Sequence, residues 1–173
     1  MNLIYLALNK WDHFRFWMEC RKLSRCDLVV DIGCGERRQT LVKSDRYKGF
    51  DPVTTGQGWE EANNYLHDVK KYTRQSVTVT LLDVVEHLPK QDSLHLLVQT
   101  LKASDRIVVF TPYGFLKQND GEYNTHQSGW YPEDFKGWDV TVFPYYHWCD
   151  FQGVVFDKPK GAILAVYTAR GSI

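Results

Sequence analysis

Short apolar runs alternate along this chain with polar, helix-compatible stretches, which is the rhythm of an α/β fold. Asp27 to Ile32 is a β-branched run that ends at Gly33-Cys34-Gly35, as a buried parallel strand does when it enters a tight turn. Further strands are predicted at Tyr47 to Phe50, Asn64 to His67, Val77 to Leu82, Arg106 to Thr111, Trp138 to Phe143 and Ala162 to Thr168, making seven. Between them, Glu36 to Ser44 and Gln91 to Ala103 read as helices. The second sets Leu94, Leu97, Val98 and Leu101 at helical spacing behind Asp92 as N-cap. At the start, Leu3 to Arg25 places Leu6, Trp11, Phe14, Phe16, Trp17, Met18 and Leu23 among basic residues, predicting one or two amphipathic helices whose aromatic face covers an edge of the core. The connection from Pro112 to Pro132 is long, and long loops in compact domains tend to be functional.

Composition narrows the class. With 173 residues, 43% hydrophobic and 24% charged, the chain can bury a sizeable core and is expected to form one domain, 1–173. Within it, 1–26 is a helical segment, 27–111 a cofactor-binding half and 112–173 the substrate-side loop and last strands. Basic and acidic residues balance at 21 each, which makes nucleic acid an unfavoured partner. The apolar stretch from Leu3 to Leu8 is far shorter than the ~20 residues of a bilayer span, so a cytoplasmic protein without membrane insertion is expected. Cys20, Cys26, Cys34 and Cys149 form no CxxC pair and read as free thiols.

The chemistry gathers at the ends of strands. Gly33 and Gly35 let a ligand approach the backbone closely at the carboxyl end of the first strand. The turn is not a dinucleotide fingerprint, because Arg38 stands at the third glycine position, and no Gly-Lys-Ser/Thr follows to make a P-loop. Asp51, ending the second strand, can accept hydrogen bonds from both hydroxyls of a ribose.

Asp31-Ile-Gly-Cys-Gly35, Tyr47-Lys-Gly-Phe-Asp51 and Asp83-Val-Val-Glu-His-Leu-Pro89 together resemble the class I S-adenosylmethionine-dependent methyltransferases, particularly the small-molecule, ubiquinone-type group. The resemblance runs from about Asp27 to Thr111. It implies a doubly wound, mostly parallel seven-stranded sheet with helices on both faces, S-adenosyl-L-methionine as cofactor, and methyl transfer to a small-molecule, glycan or lipid-precursor acceptor. It further implies that Gly33, Cys34 and Gly35 lie against the methionine part of the cofactor. Asp31 would fix that turn or reach the amino acid moiety through water, Asp51 would hold the ribose, Asp68 would meet the adenine, and Asp83 with Val84 would line the methionine end. Many members carry a glycine where this chain has Arg37, which keeps open a catalytically silent binding module. A nucleic-acid methyltransferase ranks below both, because Asp83-Val-Val-Glu86 replaces the Asn/Asp-Pro-Pro-Tyr/Phe motif.

Transfer from a sulfonium is an in-line displacement that needs chiefly positioning. For a hydroxyl acceptor, His87 or His126 is the candidate general base. Asp83-x-x-Glu86-His87 also resembles, with one acidic substitution, the Glu-x-x-Glu-His pattern that binds a divalent metal in some relatives, but three such groups clustered at a loop are usually a polar cofactor rim, and no metal is assigned. Tyr113, Trp130 and Tyr131, in or beside the long loop, are the candidates for an aromatic lid over the acceptor.

Overall fold

The computed structural model describes residues 3–36, 41–118, 121, 123–149 and 155–169. Its elements are α1 (Leu3–Lys22), β1 (Cys26–Ile32), β2 (Ser44–Phe50), α2 (Trp59–Tyr72), β3 (Val77–Leu82), α3 (Lys90–Ala103), β4 (Arg106–Pro112), β5 (Asp139–Cys149) and β6 (Val155–Thr168). They build a six-stranded sheet in the order β2-β1-β3-β4-β6-β5. Strands β2, β1, β3 and β4 pair in parallel, and β6 runs antiparallel to both β4 and β5.

Successive β1 residues bury opposite faces of this sheet, which is why the strand reads as a continuous apolar run. Leu28, Val30 and Ile32 join Val79, Leu81, Ile107 and Val109 beneath Ala62, Leu66 and Val69 of α2 and Leu96 and Leu97 of α3. Val29 faces the other way, with Val108, Phe110, Phe143 and Leu164, where Cys20 and Phe16 of α1 close the layer. The chain leaves β1 toward β2 on one side and returns to β3 on the other. The carboxyl ends of β1 and β3 therefore flank a topological switch point, the position where open α/β sheets bind ligands.

Several expectations are corrected. Among the described residues the sheet has six strands in place of seven, because Asn64 to His67 lies inside α2. Ala62, Leu66 and Val69 keep a 3.6-residue period through that segment and put three buried side chains on one helical face. Of the helix expected at Glu36 to Ser44, Arg37 to Thr40 fall outside the described residues, Leu41 to Lys43 are not helical, and β2 begins at Ser44. Asp92 is in the first turn of α3 and is not its cap; Pro89 precedes the helix with φ −52°. The inward face of α3 is Ser93, Leu96, Leu97, Thr100 and Ala103, and Leu94 and Val98 point outward. Ser93 can afford burial because its hydroxyl donates to the Val85 carbonyl at 2.6 Å.

The aromatic face of α1 is likewise turned. Phe16 packs inward on Phe110 and Phe143, but Trp11, Phe14, Trp17 and Met18 are exposed. The inward face is led by two polar side chains, Asn9 and Asp12. Asn9 Nδ2 donates to the Tyr145 and Tyr146 carbonyls at 2.9 and 2.6 Å, and Asp12 Oδ2 accepts from the Tyr145 N–H at 2.6 Å. These bonds fasten the helix to the edge strand β5 and fix its rotation.

Candidate active site

At the end of β1 the backbone turns through two left-handed glycines, Gly33 at φ +73° and Gly35 at φ +52°. The Phe50 carbonyl anchors the turn by accepting from Gly33 N–H at 2.8 Å and Cys34 N–H at 3.2 Å. Asp31 is buried beneath it, accepting from the Tyr47 hydroxyl at 2.7 Å and the Thr80 hydroxyl at 2.7 Å. Burial raises its pKa, against the lowering effect of those two bonds. Asp31 thus braces β1 against β2 and β3 from below the turn.

Asp51 ties the second strand to the same turn. One carboxylate oxygen accepts from Gly35 N–H at 3.1 Å, and the other from Val53 and Thr54 N–H at 2.9 and 2.8 Å. Burial pushes its pKa upward, but the Thr54, Val53 and Gly35 backbone donors outweigh it and hold the carboxyl below its ordinary value. An ionised carboxylate offers roughly four acceptor sites, so about one remains for a ligand hydroxyl.

From β3 the chain enters Asp83, whose φ of +54° is unusual outside glycine. A Cβ placed on Gly33 would lie 2.5 Å from Val84 Cγ2, so the glycine turn and the Asp83-Val84 loop are in direct contact across the switch point. Immediately beyond, Val85–His87 forms a single 3-10 turn. Buried Glu86 accepts from the Thr111 hydroxyl at 3.0 Å through Oε2, while its Oε1 makes no hydrogen bond. Burial first, and the Asp83 carboxylate second, push the Glu86 pKa up.

The long loop folds back onto this turn. Gln127 and Ser128 N–H both donate to the Glu86 carbonyl, at 2.7 and 3.1 Å, and the Gln127 side chain donates to the His87 carbonyl at 2.8 Å. The same bonds deliver His126, whose ring meets His87 edge-on with centroids 4.7 Å apart. His126 Nδ1 lies 2.6 Å from the Leu116 carbonyl, which makes it the protonated nitrogen and leaves Nε2 with its lone pair. Ligand atoms of Glu86, His87 and His126 all fall within 4.8 Å of one another. Burial lowers the pKa of both imidazoles, and for His87 the neighbouring His126 adds to it.

No family model matches the chain, and no curated protein does. Among solved structures, the small RNA methyltransferase HEN1 superposes with a TM-score of 0.52 at 15% identity, over 95% of this chain and 26% of that one. The fold is that of the class I methyltransferases. This chain spans about a quarter of HEN1's length. Lower scores come from magnesium protoporphyrin IX methyltransferase of Synechocystis PCC 6803 with bound SAM (TM-score 0.45, 14% identity, 95% of this chain and 79% of that one). The methyltransferase domain of a bacterial protein, CtHen1-CN, gives 0.41 at 18% identity, over 83% and 91%.

On this methyltransferase fold the candidate residues divide. Asp31, Gly33, Cys34, Gly35, Asp51, Asp83 and Val84 gather around the switch point, where Cys34 packs so closely that a Cβ on Gly49 would meet its Sγ at 2.7 Å. Asp68 does not follow a strand; it lies exposed on α2. Trp130 is fully buried, stacked on Phe135 and capped by the Lys90 ammonium 3.6 Å from its ring centroid, so it anchors the loop and presents nothing to an acceptor. Tyr113 and Tyr131 do keep exposed surface, with their rings 5.9 Å apart. Sequence reasoning missed Thr111 and the partnership of His126 with Glu86-His87; a downstream histidine on the long loop was the only signal for the latter.

Proposed function

We propose that this chain transfers the methyl group of S-adenosylmethionine to a hydroxyl oxygen of a small acceptor, assisted by a divalent cation held by Glu86, His87 and His126. The reading is carried by one juxtaposition: the glycine turn touches Val84, and the 3-10 turn just beyond it carries buried Glu86 and the His87 imidazole, which the long loop joins with the imidazole of His126. Among the described residues Glu86 Oε1 is buried without a hydrogen-bond partner, a costly condition that a cation would relieve. One carboxylate and two neutral imidazoles fit a divalent ion that tolerates mixed oxygen and nitrogen ligands. Such an ion, held there, would lower the pKa of an acceptor hydroxyl, so that its proton is lost to solvent as the oxygen takes the methyl group from sulfur. The chain's own residues do the rest: Gly33 and Gly35 seat the methionine end, Asp51 offers its remaining acceptor site to the ribose, and Tyr113 and Tyr131 border the acceptor. In this reading His87 and His126 are ligands in place of general bases.

A second reading, a small RNA as acceptor, is favoured by the likeness to HEN1 and opposed by the balanced charge. Calorimetric titration with S-adenosylmethionine tests the donor: binding is expected for the native chain and abolished in Gly33→Val, and no binding to the native chain refutes it. Titration with Mn²⁺ followed by electron paramagnetic resonance tests the cation. Glu86→Gln and His126→Ala should each weaken it about tenfold or more, as loss of a ligand or its support does. An RNA acceptor would show an affinity that falls steeply with salt.

A further inference from the structure

The outward face of α1 is inverted relative to the helix of an ordinary soluble domain. Polar Asn9 and Asp12 are buried at 5% and 1% exposure, whereas Trp11, Phe14, Trp17 and Met18 are 57%, 49%, 48% and 42% exposed. At 100° per residue, Phe14, Met18 and Trp11 share one stripe opposite the buried Asn9 and Cys20 and the half-buried Phe16, and Trp17 stands at its margin. The rings form a continuous line, Trp11 to Phe14 at 5.8 Å and Phe14 to Trp17 at 6.2 Å. Arg21 lies 4.4 Å above the Trp17 ring and extends that line with a cation. Four basic residues of the helix, Lys10, Arg15, Arg21 and Lys22, face two acidic ones, Asp12 and Glu19. Asp12 is turned inward onto β5, and Glu19 is engaged by Lys22 at 2.7 Å.

We infer that this stripe docks the protein onto the surface of an anionic lipid bilayer, with α1 lying in the plane of the interface. Tryptophan and phenylalanine rings flanked by lysine and arginine are the side chains that partition to the headgroup boundary, the rings into the acyl edge and the cations toward lipid phosphate. No helix among the described residues is long and apolar enough to cross a membrane, so the contact is with one leaflet. A second copy of the chain is the poorer occupant. Pairing two such stripes in either direction sets the Lys10 and Arg21 cations of one copy against those of the other, and the only acidic groups on the helix are already engaged.

The full chain should sediment with phosphatidylcholine vesicles containing phosphatidylglycerol and stay in solution with phosphatidylcholine alone. Trp11→Ser with Phe14→Ser should lower the partition coefficient about tenfold or more. Lys10→Glu with Arg21→Glu should lower it about fivefold per cation removed. All four positions are exposed, and circular dichroism of each variant confirms that folding is kept. The inference is overturned if the folded native chain ignores anionic vesicles, or if the Trp11/Phe14 variant binds them as well as the native chain. It is equally overturned if lipid-free protein self-associates in sedimentation equilibrium and Trp11→Ser makes it monomeric.

Discussion

Gly33→Ala measures the contact on which the site is built. At φ +73° an alanine pays the left-handed penalty of about 1–2 kcal/mol. Its Cβ would also stand 2.5 Å from Val84 Cγ2, inside any real contact distance, on a β-branched side chain with little rotamer freedom. Overpacking of that kind costs about 1–3 kcal/mol, so the total is about 2–5 kcal/mol. Urea unfolding of Gly33→Ala, Val84→Ala and the double variant separates the two contributions. Removing the Val84 methyl groups relieves the clash and leaves the backbone penalty, so the double variant should be more stable than the sum of the singles implies, by about 1–3 kcal/mol. Strict additivity of the two substitutions would refute the contact between the turn and the loop. A Gly33→Ala cost below about 1 kcal/mol would refute the left-handed geometry as well.

His147 is the second test. Burial first, then His13 and His126, lower its pKa to about 4, and its Nε2 is buried without a hydrogen bond. The unfolded chain takes up this proton near pH ~6.5. The stability present above that value should therefore be lost on acidification from pH ~6.5 through about 4, by at most about 3 kcal/mol, and His147→Gln should flatten this limb of a pH–stability profile. Asn9→Ala deletes two hydrogen bonds to β5 carbonyls and should cost about 1–3 kcal/mol in the same unfolding assay, while Asn9→Asp should not restore it because an acceptor cannot serve carbonyls. Asp51→Asn should narrow the acid-side loss of stability below pH ~4, because a carboxyl held below its ordinary value stabilises the fold only while ionised.

The core strands were legible because both of their faces are buried. Val77–Leu82 was predicted at its observed bounds, and Cys26–Ile32 differs by one residue at its start. Edge strands hid their true lengths. Ser44 to Arg46 is polar and substantially exposed, and β5 continues through Pro144, a residue tolerated where one side of a strand lacks a sheet partner. The false strand at Asn64 to His67 came from a four-residue window; the period over all 14 residues of α2 decides for helix. At the site, Gly33, Gly35, Asp51, Asp83 and Glu86 follow directly from strand ends. The convergence of His126 on Glu86 does not, because it is set by loop bonds from Gln127 and Ser128 that no periodicity encodes. The rotation of α1 was equally hidden, since hydrophobicity argues for burying Trp11 and Phe14 while two hydrogen-bonding side chains dictate the opposite.

The clamp of Asn9 and Asp12 on β5 has a consequence for solubility. In the order β2-β1-β3-β4-β6-β5 the two outer strands expose backbone donors and acceptors that could template another chain. On β2 the defence is charge, with Asp45, Arg46 and Lys48 along the strand and Arg25 bridging to Asp45. On β5 it is a neighbouring helix, whose amide and carboxylate occupy the Tyr145 and Tyr146 main-chain groups that an incoming strand would seek. A chain cut short before Cys26 would lose that cover together with the Phe16 and Cys20 side chains that close one face of the sheet, leaving both an uncapped edge and an apolar face open to another chain.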